Sequence, residues 1–299
     1  MSVSVVWLKS VRKALRAIEK SIQNRTEAYL DQRPPGDSKG PEYSALFDRL
    51  VEERQTDEFY MREHRARLIR TMEIVPEPRT SMRVLELGAY MQMTPALQII
   101  KGYKEVRGAY FGPAGSSDRK ELNLGGRTVF ECTIDLFNAE SDRFPHPSGY
   151  FETVLCCEML EHLLRDPMHM ILEIYRVLEE NGRVLITTPN CTSYTSVARA
   201  LKGDQNPQMY AFYDHRPEGD VPHVREYAPA ELKELLAAGG FIVEALFTEP
   251  IEIYKGSQWV HQFLEETGFS PSLRGEQMYA IARKDSSIVR ERYPRFLYD

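Results

Sequence analysis

No stretch of this 299-residue chain stays apolar for the roughly 18 residues that span a bilayer. The sequence also lacks the charged start, apolar core and small-residue cleavage site of a secretory leader. Cysteine is scarce: Cys132, Cys156, Cys157 and Cys191 form no Cys-x-x-Cys pair and no disulfide-like framework. A reducing cytoplasm is the expected compartment. Positive charge is in deficit, with 38 Lys and Arg against 44 Asp and Glu and a formal net charge of −6, so general nucleic-acid binding is not expected. Glycine is lacking where a nucleotide site would need it. "LELGAYMQMTPAL" (85–97) reads as a strand turning toward a ligand, yet it holds Gly88 alone, followed by bulky Tyr90, Met91 and Met93. Dinucleotides and phosphate-gripping loops need further glycines to bring backbone N–H groups against a pyrophosphate. NAD, FAD and a P-loop are therefore disfavoured, whereas a cofactor without phosphates tolerates such a loop.

The rest of the chain is rich in organised apolar runs. Residues 4–24 place Leu8, Val11, Leu15, Ile18 and Ile22 at helical spacing among lysines and arginines. Such a helix docks on its own protein, on a second subunit or on an anionic membrane surface. A Pro/Gly linker is expected near 31–42, and a charged helical stretch follows to about 75. Together, 1–80 read as a helical N-terminal extension. From 81 to 285 short apolar runs alternate with helical segments. Seven strands are predicted: 82–87, 105–111, 127–137, 151–157, 182–189, 241–247 and 277–284. Helices are expected at 94–103, within 158–181 and at 228–240. The runs are apolar throughout, as strands covered on both faces should be. The expected fold is α/β, a doubly wound, seven-stranded, mostly parallel sheet with ligands at the strands' carboxyl ends. Insertions are expected near 191–222 and 249–274, and a tail over 286–299. Thr94-Pro95 reads as a helix start, and Asn181-Gly182 and Gly239-Gly240 as helix stops.

Glu158, Glu161 and His162 are spaced i, i+3, i+4, so on a helix they would share one face at the end of the fourth strand. Two carboxylates and an imidazole suit a hard divalent cation, completed by a histidine from elsewhere, for which His223 in "PHVREY" is the candidate. Without a metal, His162 or His223 could act as general base toward a hydroxyl, or His162 could simply orient its helix, and carboxylates in a first helical turn are also stabilised by the helix dipole alone. Met91, Met93, Met159, Met168 and Met170 read as core fillers, and Cys156 and Cys157 as packing residues. The insertions are rich in tyrosine and bring Tyr254, Trp259 and His261 as candidate lid or dimer residues; Arg290, Arg292 and Arg295 read as a solvated or subunit-binding end.

"FETVLCCEMLEHLLRDPMHMILEIYRVLEENGRVLITTPN" (151–190), with "HVREYAPAELKELLAAGGFIVEAL" (223–246), resembles the class I S-adenosylmethionine-dependent methyltransferases, over about 83–284. The resemblance implies a Rossmann-like methyltransferase fold with S-adenosylmethionine as cofactor. It implies that Glu86, Gly88 and Ala89 meet the methionine half, Asp135 and Leu136 the adenine, and Cys157 and Glu158 the sulfonium side. Two departures stand out: Tyr90 replaces the usual second glycine, and Tyr110 replaces the acid that accepts the ribose hydroxyls at the end of the second strand. Tyr110 makes weaker hydrogen bonds than a carboxylate. The Glu-x-x-Glu-His arrangement resembles the metal site of small-RNA 3′-end 2′-O-methyltransferases and partly that of ubiquinone-pathway O-methyltransferases. That likeness implies Glu158, Glu161, His162 and His223 as ligands of magnesium or manganese. Catalysis would then fall to Glu161, His162 and His223. The implied activity is methylation of a hydroxyl on a sugar, glycolipid precursor or secondary metabolite, with a homodimer as one expected assembly. The rivals are an RNA 2′-O-methyltransferase, against which the acidic charge counts, and a non-catalytic binding protein that keeps the fold.

Overall fold

The computed structural model describes residues 33–203, 222–250 and 257–298. The amphipathic stretch 4–24, most of the 191–222 insertion and Tyr254 lie outside the described residues. The elements run α1 (Gly40–Glu52), α2 (Glu58–Ile74), β1 (Arg83–Leu87), α3 (Met93–Ile99), β2 (Glu105–Tyr110), β3 (Ser116–Leu124), β4 (Arg127–Leu136) and β5 (Phe151–Cys157). They continue with α4 (Pro167–Val177), β6 (Leu178–Pro189), α5 (Tyr194–Lys202), α6 (Pro229–Ala238), β7 (Phe241–Glu249), α7 (Gln258–Thr267), β8 (Gln277–Lys284) and α8 (Arg295–Tyr298).

The strands form one sheet in the order β3-β4-β2-β1-β5-β6-β8-β7. The β4, β2, β1, β5 and β6 strands are mutually parallel; β8 runs antiparallel between β6 and β7, and β3 antiparallel along β4. Seven strands stand where the apolar runs put them. The eighth, β3, is an addition: its exposed, charged residues bury only Leu122 and Leu124. Gly125 and Gly126, at φ 59° and 72°, join it to β4 by the two-residue turn whose twist matches a hairpin.

Period-two alternation explains why each run is apolar on every residue. Leu85, Leu87, Val154, Cys156, Val184, Ile186, Met278 and Ala280 face the layer of α4 and α6. Val84, Leu155, Cys157, Leu185, Tyr279 and Ile281 face α1, α2 and α3. Met93, Met168 and Met170 are buried in these layers, while Met91 and Met159 are only partly buried beside them. Among the described residues no helix is long and apolar enough to cross a membrane.

Several local starts and stops differ from the sequence reading. Helix α1 begins at Gly40, inside the stretch read as linker, because Pro41 sits in its first turn. Helix α3 begins at Met93, so Thr94 lies inside the first turn rather than capping it. Its N–H is drawn to Glu86 on β1, which the cap assignment did not foresee. Helix α4 ends at Val177 rather than Asn181, since residues from Leu178 onward pair with β5; Asn181 instead takes φ 63° within β6. The largest difference falls at 158–166. The chain does not enter a helix after β5: the Glu158 N–H is bonded to Thr187 O at 2.9 Å, extending the sheet, and Glu158 then reverses the chain at φ 52°. Only a single 3-10 turn, Leu160–His162, follows before α4 starts at Pro167 behind its Asp166 cap. Glu158 and Glu161 therefore share no helical face and no helix dipole.

The 292–298 segment docks on its own chain rather than standing in solvent. Arg292 pairs with Asp166 through both terminal nitrogens, and Tyr298 donates to the same carboxylate at 2.7 Å. Those contacts draw the Asp166 carboxyl below its usual range, against the upward pull of burial.

Candidate active site

The carboxyl ends of β1, β2, β5 and β6 meet in the middle of the sheet, where doubly wound folds bind ligands. Gly88 closes β1 at φ 72°, and the N–H groups of Gly88 and Ala89 both donate to Ala109 O on β2, at 2.9 and 3.0 Å. That turn folds the loop over β2. A Cβ on Gly108 would lie 2.8 Å from Ala89 Cβ and 2.2 Å from Ile134 Cδ1, so only glycine there lets the loop settle. Gly88 itself faces Met159, whose sulfur would be 3.0 Å from an added Cβ.

Glu86 points from β1 into this corner and is fully buried. Burial pushes its carboxyl up to about 8, despite the Thr94 N–H that favours the ionised form. Its Oε2 is buried without a protein partner. A buried polar atom without a partner is uncommon and marks this corner as a candidate site. Cys157, on β5, abuts the same corner; burial, then the Glu86 charge, push its thiol up to about 12, so it is no nucleophile.

Helix α2 contributes three residues that the sequence reading passed over. Tyr60, His64 and Arg67 follow one another at i, i+4 and i+7, which is one helical face. The Tyr60 and His64 rings meet edge to face at 4.5 Å, and Tyr60 lies 6.5 Å from Tyr90. Arg67 is buried and pairs with Glu158 at 3.6 Å; burial opposes its charge, but Glu158, Tyr60 and Cys157 together outweigh burial and raise its pKa. Burial and then the Arg67 charge lower the pKa of His64.

Glu158 accepts from Thr187 Oγ1 at 2.8 Å and from Gln277 Nε2 at 2.7 Å. It is thus committed to Arg67 and the two strands beside it. Glu161 is wholly buried on the 3-10 turn. Its Oε2 accepts from Thr188 at 2.8 Å, while Oε1 has no hydrogen-bond partner. Burial first, then the nearby Glu158 charge, raise its pKa well above the carboxylate range. His162 Nε2 stands 3.9 Å from Glu161 Oε1, and the His162 and His223 rings meet edge to face at 5.0 Å. His223 is delivered by the segment beyond β6, because Val224 N donates to Glu161 O at 2.7 Å. Glu226 holds its Nδ1 at 3.1 Å.

Glu161, His162 and His223 each offer a ligand atom within 4.8 Å of the others. Glu158 stands outside this group, held instead by Arg67, Thr187 and Gln277. Asp135 lies within β4 and is held by Arg107 through paired contacts at 2.6 and 3.1 Å; His146 stands 3.4 Å away. Its carboxylate is therefore occupied on the α4 side of the sheet. Leu136 is half buried against Gly112. Tyr110, at the end of β2, shares a 2.8 Å hydroxyl–hydroxyl hydrogen bond with Tyr90. In the second insertion, His261 packs on Tyr194 at 5.9 Å and Trp259 is exposed, both on the small α5–α7 layer.

A parallel five-strand core with an antiparallel β8 inserted before β7, and a left-handed glycine closing β1, is the class I methyltransferase architecture. The chain belongs to the methyltransferase-domain family, whose model matches residues 57–246, from the start of α2 to the middle of β7. A protein of Mycolicibacterium smegmatis named as a probable S-adenosylmethionine-dependent methyltransferase is 29% identical over 115 residues, 37% of this chain and 36% of the relative. The match thus spans about a third of that curated relative. Two solved S-adenosylmethionine-dependent methyltransferases are similar to this chain. The Thermotoga maritima structure is 17% identical with a TM-score of 0.45, covering 81% of this chain and 99% of that one. The Mesorhizobium loti structure is 14% identical with a TM-score of 0.46, covering 74% and 98%.

Proposed function

We propose that this chain moves a methyl group from S-adenosylmethionine to a hydroxyl oxygen of a sugar or small metabolite, with a divalent cation at Glu161, His162 and His223. The observation that carries the oxygen acceptor and the cation is Glu161: a buried carboxyl with one unpartnered oxygen, aimed where two imidazoles converge. Buried carboxylates of this kind are paired or coordinate metals. One carboxylate oxygen and two imidazole nitrogens suit a borderline ion such as manganese, completed by water or substrate oxygens, better than magnesium with its preference for oxygen ligands alone.

S-adenosylmethionine supplies an electrophilic methyl on sulfur, and a divalent cation lowers the pKa of a hydroxyl that it contacts. The chain's residues supply the rest. Gly88 and Ala89 keep the β1 loop low enough for close approach. Glu86 offers its unpartnered oxygen to the methionyl ammonium, and Arg67 its guanidinium to the methionyl carboxylate. With the cation held by His162 and His223 the acceptor's proton leaves to solvent water, and without it His162 or His223 takes that proton, as the new C–O bond forms and the S–C bond breaks; S-adenosylhomocysteine is the other product.

Calorimetry with S-adenosylhomocysteine, with and without manganese, tests the reading. Cofactor binding to wild type, with a separate manganese isotherm lost in Glu161→Ala and His223→Ala, is the expected result. Absence of manganese binding removes the cation, and absence of S-adenosylhomocysteine binding removes the methyl donor.

A further inference from the structure

The geometry points to Tyr90 and Tyr110 as an uncharged two-hydroxyl clamp that selects the vicinal diol of the cofactor's ribose. The inference rests on the cofactor reading above and deepens it. In doubly wound sheets the end of the second parallel strand faces the ribose, usually with a carboxylate that accepts from its hydroxyls. Here β2 ends at Tyr110, and the acids of β2 and β4 nearest in the sheet are engaged elsewhere: Asp135 is taken by Arg107, and Glu105 at the strand's far end is bonded to Tyr150 at 2.9 Å.

The second hydroxyl comes from Tyr90, two residues beyond Gly88 in the loop that folds over β2. The two rings meet edge to face, 5.0 Å apart at 78°, and their hydroxyls bond at 2.8 Å. Both side chains are accessible, at 55% and 39% exposure, so an arriving ligand can reach them. The Tyr60 ring lies 6.5 Å from that of Tyr90, tilted by 36°.

A hydroxyl both donates and accepts, whereas a carboxylate only accepts. The pair can therefore exchange its mutual bond for one bond to each ribose hydroxyl, with donor matched to acceptor on both sides. Two neutral hydrogen bonds replace two charge-assisted ones. Each is worth about tenfold in affinity. The clamp accordingly keeps the demand for both ribose hydroxyls while holding the cofactor more loosely than an acid would.

The test is calorimetry on the full chain with S-adenosylhomocysteine and its 2′-deoxy and 3′-deoxy forms. Wild type should lose about tenfold on removal of either ribose hydroxyl. Tyr110→Phe should bind S-adenosylhomocysteine about tenfold more weakly. The Tyr90→Phe/Tyr110→Phe protein should bind the parent and deoxy forms within about twofold of one another, with melting temperature unchanged. Tyr110→Asp should restore both affinity and discrimination, a rescue that a purely structural role for the ring would not give. A double variant that still discriminates against the deoxy forms as wild type does overturns the clamp. So does a double variant that binds more tightly, which would make the pair a plug over the pocket. Wild type that binds no S-adenosylhomocysteine at all overturns the cofactor reading itself, and the clamp with it.

Discussion

Replacing Glu86 by glutamine should make the ligand-free protein more stable at alkaline pH, although it removes a residue from the cofactor corner. The side chain is fully buried and its carboxyl is pushed up to about 8, against about 4.3 for an unstrained glutamate. A raised folded pKa means that the native state prefers the protonated form. The group costs nothing below about pH 4, its penalty grows as pH rises toward 8, and it levels off above. At 1.36 kcal/mol per pH unit, the penalty is roughly 3–4 kcal/mol at pH 7 and roughly 5 above pH 8.5. Glutamine keeps the shape and can still accept from the Thr94 N–H, while its amide never ionises. Near pH 5 the wild-type penalty is only about 1 kcal/mol, and the amide buries one unpartnered N–H more than the protonated acid, so the two effects oppose and the proteins should lie close there. Thermal melts from pH 5 to 9, followed by circular dichroism, read the difference. Wild type should fall behind Glu86→Gln by about 10 °C or more at pH 8.5, with roughly 2–4 °C per kcal/mol in a domain of this size. Parallel curves across that range would refute a buried, proton-bearing Glu86.

Gly88→Ala should lower stability by about 1–2 kcal/mol, because a Cβ at φ 72° meets the left-handed penalty and displaces Met159; a urea titration measures it, and affinity for S-adenosylhomocysteine should fall in the same protein. Arg292→Ala should cost about 1 kcal/mol at pH 7 by freeing the tail from Asp166, a pair that is partly exposed and screened. Asp166 has a lowered folded pKa, so this contribution is present at neutral pH and vanishes as pH falls through that value. Urea titrations of Arg292→Ala and wild type at pH 7 and pH 3 check both points.

The sheet's centre was legible because its strands are buried on both faces and therefore carry unbroken apolar runs. The edge was not: "SSDRKELNL" buries two leucines and looks like a charged loop. Its signal was the Gly125-Gly126 pair, a hairpin turn between two stretches of which only one reads as a strand. At the site, residue types were legible and geometry was not. The i, i+3, i+4 spacing of Glu158, Glu161 and His162 implied a helix, but a backbone bond from Glu158 to Thr187 outweighs that periodicity. Glu161, His162 and His223 still converge, through a 3-10 turn and a segment 61 residues away in sequence. Tyr60, His64 and Arg67 went unread because a charged helix face normally meets solvent; only the fold reveals that this one roofs the strand ends.

The strand order imposes a schedule on synthesis. Strand β8 lies between β6 and β7, so when β7 leaves the ribosome its only sheet neighbour does not yet exist. Until residues 277–284 emerge, "FIVEALF" and the outer edge of β6 both present unpaired backbone and apolar side chains. Such edges template wrong pairings. A transcript truncated or stalled between 250 and 276 should therefore yield chains that need chaperone cover, while one residue block further the same chain closes its sheet.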